Sequence, residues 1–200
     1  MRTFRFITTT VTATAAALIV TGCSGSDTSH DSSHDTGHST SSQTATDHNQ
    51  ADVTYAQGMT MHHQQAVEMS DIVLDKSGVD PDVTQLAKEI KKAQGPEITT
   101  MQGWLEDWGE DSGGHGEHGS DMSMDGMVSA EDITKLKQAD GPTASKLFLD
   151  QMIEHHQGAV EMAEQHRKDG KDPEALTLSK TVITDQKAEI TDMRTMRAGL

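Results

Sequence analysis

One cysteine in 200 residues excludes an intramolecular disulfide framework. Aromatic residues make up only 3% of the chain, so its core must be small and aliphatic. Positive charge is scarce too: 16 Lys and Arg stand against 32 Asp and Glu, a formal charge of −16. With no local basic patch, such a chain repels phosphate, which argues against a nucleic-acid partner and for cations. No segment has the two-residue periodicity of a strand. What the chain does have is 12 methionines and 11 histidines, unevenly placed.

Arg2 and Arg5 precede an uncharged stretch, Val11 to Val20, too short to span a bilayer but suited to the core of a signal peptide. It ends in Val20-Thr21-Gly22-Cys23, which resembles the lipobox of bacterial lipoproteins, where the signal is cut before the cysteine and the cysteine is acylated. On that reading residues 1–22 are a lipoprotein signal peptide and Cys23 is the lipid attachment point. The protein is then held on the extracytoplasmic face of the cell membrane without a transmembrane helix. The plainer alternative is an ordinary secretory signal with an incidental cysteine. Residues 23–50 hold almost nothing that could build a core and read as a disordered His/Ser/Asp-rich tether. Its repeated His30, His34 and His38, each three residues after an aspartate, either gather metal loosely or belong to a solvated spacer.

The informative feature is an internal repeat. Met59-Thr-Met-His62-His63-Gln-Gln-Ala-Val-Glu68-Met69 aligns with Met152-Ile-Glu-His155-His156-Gln-Gly-Ala-Val-Glu161-Met162, eight of eleven positions being identical. The match continues one residue out of step: Gly78 with Gly170, Asp80-Pro81 with Asp172-Pro173, Gln94 with Gln186, Glu97 with Glu189, Met101 with Met193. Each half reads as a helical hairpin. A first helix runs from about Asp52 to Lys76, and Asp80 caps a second that reaches Trp108, with a kink expected at Gly95-Pro96. The second half repeats this, with helices from about Ser145 to Asp169 and from Pro173 to about Arg197. Residues 51–108 thus form the first hairpin, 109–128 a His/Met-rich loop, and 129–200 a short helix opened by Ser129 plus the second hairpin. The expected fold is all-α: an antiparallel four-helix bundle from two repeated hairpins, preceded by the disordered tail.

At about 100° per residue, Tyr55, Met59, His62, His63, Ala66, Ser70 and Val73 fall on one face of the first helix. The copy places Phe148, Met152, His155, His156, Ala159 and Ala163 alike, with His166 where the first half has Val73. Glu68 and Glu161 fall on the opposite face, suited to solvent or surface pairs. Two His pairs therefore point into the bundle, and each buried imidazole has two nitrogens to satisfy. A shared metal would satisfy them, with His62, His63, His155 and His156 as ligands and Met59 and Met152 as weaker ones. Bonds among the histidines or to helix carbonyls are the structural alternative. Thioether sulfur suits Cu(I) far better than zinc, and no Glu has a His three residues later, as di-iron bundles need. Copper, as Cu(I) or Cu(II), is the metal this set favours. His115, His118, Met122, Met124 and Met127 in the loop form a secondary candidate set, unless that loop is only a Gly-rich connector.

Met-x-x-His-His-Gln-x-Ala-Val-Glu-Met in both halves resembles the domain-of-unknown-function family 305, bacterial extracytoplasmic proteins with a ferritin-like four-helix bundle. The resemblance covers roughly residues 50–198. It implies copper binding by His and Met in the bundle, as in periplasmic relatives that contribute to copper resistance, with His62, His63, His155 and His156 as ligands beside Met59 and Met152. Met61 and Glu154 precede the two His pairs, so the half-sites need not be equivalent. No inward carboxylate is expected near the His pairs, which favours binding over catalysis. The expected function is sequestration or handling of copper by a lipid-anchored protein; the alternative is a metal-dependent oxidoreductase using the bundle core as its redox site.

Overall fold

The computed structural model describes residues 48–111 and 126–200. These form five α-helices: α1 (Gln50–Leu74), α2 (Pro81–Trp108), α3 (Ala130–Gln138), α4 (Gly141–Asp169) and α5 (Pro173–Gly199). No strand occurs among the described residues. The chain is all-α, an antiparallel bundle of four long helices in two hairpins. Helix α1 pairs with α2 and α4 with α5, α1 lies along α4, and α2 touches α5 only lightly. The short α3 rests on α1 and α4.

Local chemistry sets the boundaries. Asn49 opens α1 with a reciprocal capping box, its side chain accepting from the Ala51 and Asp52 amides while Asp52 accepts from the Asn49 amide. Asp80, Asp140 and Asp172 each cap a helix whose first turn holds a proline, where the missing N–H is no loss. The sequence reading starts α4 at Ser145; the structure starts it at Gly141. Asp140 and Pro142 form the same opening signal seen at the other two prolines. Gly141 also meets the α1–α2 turn so closely that a Cβ there would lie 2.3 Å from the Ser77 carbonyl oxygen. Helix α2 runs through Gly95-Pro96 as one element and closes on Gly109 in the left-handed conformation (φ 74°). Among the described residues no helix is long and apolar enough to cross a membrane.

The core is divided. One apolar cluster gathers Met69, Val73, Leu86, Ile90, Phe148, Met152 and Met193; the other gathers Val53, Tyr55, Met59, Met101, Leu105, Ala163 and Val182. On each long helix the residues between the two clusters are polar: His62 and His63 on α1, Gln94 and Glu97 on α2, His155 and His156 on α4, Gln186 and Glu189 on α5. A polar layer crosses the bundle at mid-height.

Candidate metal centre

Helical periodicity turns all four paired histidines inward, and they are 0–1% exposed. The rings of His62 and His155 face each other across the α1–α4 contact, centroids 3.7 Å apart and planes tilted by 39°. His155 and His156 have centroids 6.2 Å apart. Burial holds the pKa of His155 well below 6.5; the charges of His62, His156 and His63 push the same way, and the His62 backbone opposes them. The structure thus brings the two pairs together, as the repeat predicts.

The expectation of no inward carboxylate is overturned. His63 Nε2 lies 2.8 Å from Glu97 Oε2, and His156 Nε2 lies 2.7 Å from Glu189 Oε2. The carboxylates come from α2 and α5, so a wheel drawn on the His-bearing helices does not find them. The signal was in the repeat: Glu97 and Glu189 occupy equivalent positions, as do Gln94 and Gln186. Burial raises the pKa of Asp185 on α5, and the charges of Glu189 and Glu97 add to it. Glu68 and Glu161 face outward as expected, Glu68 pairing with Lys137 at 2.8 Å.

Nδ1 of His63, Nδ1 of His156 and both ring nitrogens of His155 are buried without a side-chain hydrogen-bond partner. Each such atom is destabilising by about 1–3 kcal/mol unless something meets it. Among the described residues, no group of three or more His, Cys, Asp and Glu side chains stands ready to hold a metal ion. The donors left bare are single imidazole nitrogens in a layer between two methionine-containing clusters, a donor set that fits a soft ion such as Cu(I) better than zinc or a carboxylate-bridged di-iron pair.

Met59 and Met152 are fully buried, but the antiparallel packing of α1 and α4 sets them on opposite sides of the polar layer, one in each apolar cluster. Met101 joins Met59, and Met69 and Met193 join Met152, so the apolar cluster on each side of the polar layer holds methionines. Of the loop set, Met127 is half-buried, while His115, His118, Met122 and Met124 lie outside the described residues, as do Cys23, His30, His34 and His38. The described ends of that loop are fastened to α1. Gln57 Nε2 donates to the Asp111 carbonyl at 2.9 Å, and Gln65 exchanges two bonds of 2.9 and 2.8 Å with the Val128 backbone. Gly126 (φ 85°) packs against the α4 backbone, where a Cβ would lie 2.8 Å from Gly158 Cα.

His166, the remaining buried histidine of α4, differs in kind. Its Nδ1 is 2.6 Å from Ser179 Oγ, its Nε2 is 2.8 Å from Asp52 Oδ1, and Tyr55 stacks on the ring at 4.1 Å. Both nitrogens are satisfied, as in a structural histidine.

Residues 52–197 match the family described as Domain of unknown function (DUF305). The chain belongs to the DUF305 family. A DUF305 protein from Streptomyces coelicolor, described as secreted, is 34% identical, with 74% of this chain and 91% of that one covered at a TM-score of 0.67. A DUF305 fragment from Deinococcus radiodurans is 29% identical, covering 76% and 98% at a TM-score of 0.69. CopM in its Cu(I)-bound form is 30% identical, covering 74% and 96% at a TM-score of 0.62. CopM is also known in Cu(II)-bound, Ag-bound and apo forms. No curated protein matches this DUF305 chain significantly.

Proposed function

We propose that this protein is a lipid-anchored, extracytoplasmic copper-binding protein that sequesters copper or passes it on through the His and Met side chains of its bundle core. The observation that carries the reading is the polar layer. Imidazoles from both halves meet there, His63, His155 and His156 with bare nitrogens, the apolar cluster on either side holds buried methionines, and the copper-bound relative CopM supports copper as the ion. His62, His63, His155 and His156 would hold the ion, with Met59 and Met152 beside them. Burial of all four imidazoles supports binding over turnover, because an oxidoreductase needs a path for substrate to the metal. The loop residues His115, His118, Met122, Met124 and Met127 would add weaker equivalents. Anchoring through Cys23 rests on the lipobox resemblance.

The test is thermal unfolding with Cu(I), with Cu(II) and without metal, for wild type, His62→Ala/His63→Ala and His155→Ala/His156→Ala. Metal bound only by the native state must stabilise it. Both double variants should fold, lose most of the copper-induced shift and bind fewer equivalents. Wild-type copper shifts in both would show that the histidines are structural.

A further inference from the structure

We infer that Glu97 and Glu189 are the positioning residues of this core: each accepts Nε2–H from His63 or His156 and so presents Nδ1 as the atom that meets the metal. This rests on the copper reading above and deepens it. The two contacts are equivalent by the repeat, link the second histidine of each pair to the second helix of its own hairpin, and measure 2.8 and 2.7 Å. A carboxylate that accepts at Nε2 fixes the proton of a neutral ring there, and Nδ1 is then left as a lone pair. In both rings that Nδ1 is buried and has no partner. The imidazoles are 0% exposed while the carboxylates are 22% and 26% exposed, so each glutamate keeps an edge in water as it reaches the core.

A purely structural role would leave a different pattern, and His166 displays it: both nitrogens bonded, to Asp52 and to Ser179. At His63 and His156 one nitrogen is fixed and the other kept bare, the arrangement in which an outer carboxylate orients a ligand and raises its basicity.

The experiment reads the ring protons directly. With 15N-labelled histidine in the purified protein, long-range 1H–15N correlation should show His63 and His156 in the Nε2–H form before any metal is added. Cu(I) should then move their Nδ1 resonances. Glu97→Ala/Glu189→Ala should release the tautomer preference and weaken Cu(I) binding, measured by chelator competition, by roughly 10–100-fold. Glu97→Gln/Glu189→Gln, whose amide oxygen can still accept, should retain part of both and serves where the alanine pair does not fold. An Nδ1–H tautomer in the metal-free wild type would overturn the inference, as would alanine variants with wild-type tautomers and affinity. Nε2–H tautomers with no core uptake of Cu(I) would instead overturn the copper reading, and the positioning role with it.

Discussion

Single residues in this bundle show two ways of burying an imidazole. His166 spends both nitrogens on side-chain partners, whereas His155 has no side-chain hydrogen bond. The difference has a pH consequence. Burial, reinforced by neighbouring histidines, lowers the folded-state pKa of His155, so below about pH 6.5 the unfolded chain takes up a proton that the folded state refuses. Stability of the metal-free protein should therefore be complete above that pH and fall as pH drops toward the folded pKa. Urea midpoints between about pH 7.5 and about pH 5.5 should fall by the equivalent of up to about 1.4 kcal/mol per pH unit for this proton. His155→Leu should flatten the profile, and an unchanged slope in that variant would assign the effect elsewhere. Copper should fade over the same range, because the ligand must be neutral to bind.

Between elements, the most heavily bonded contact outside the polar layer is at Asp52. Its carboxylate caps α1 and accepts from His166 Nε2 and from the Lys171 and Asp172 amides, so it ties the start of α1 to the turn between α4 and α5. Asn49 adds a bond of 2.8 Å to the Asp169 carbonyl. Burial pushes the Asp52 carboxyl up, but the bonds from His166, Asn49, Lys171 and Asp172 outweigh it, and the pKa is lowered. Its contribution is thus present above the ordinary 3.8 and lost as pH falls below it. Asp52→Ala would strand four donors at once. It should remove about 2–4 kcal/mol, read from urea unfolding at neutral pH. Loss of less than about 0.5 kcal/mol would mean that water replaces the carboxylate without penalty.

At the scale of the whole molecule, the proposal to test is attachment through Cys23. Among the described residues no helix is long and apolar enough to cross a membrane; on the lipobox reading, attachment falls to acyl chains on Cys23. Such chains contribute about 0.8 kcal/mol per buried CH₂. The native protein should partition into detergent, and Cys23→Ser should leave it unprocessed or released. A wild-type protein found in the aqueous phase and cut at another position would end the lipid reading.

The sequence by itself determined the helices, the doubling and the inward face. Helical periodicity fixes which side of a helix is apolar, and the repeat states twice that His-His lies on that side. What α2 and α5 contribute was legible only as an unexplained recurrence of Gln94 with Gln186 and Glu97 with Glu189. Tertiary packing decided that these complete a polar layer, that Met59 and Met152 fall on opposite sides of it, and that Asp52 finds His166. The reason is physical: periodicity constrains neighbours within a turn or two. His63 and Glu97 are 34 residues apart and Asp52 and His166 are 114 apart. Their meeting depends on how two helices cross and at what height, which is settled when the side chains of all four interlock.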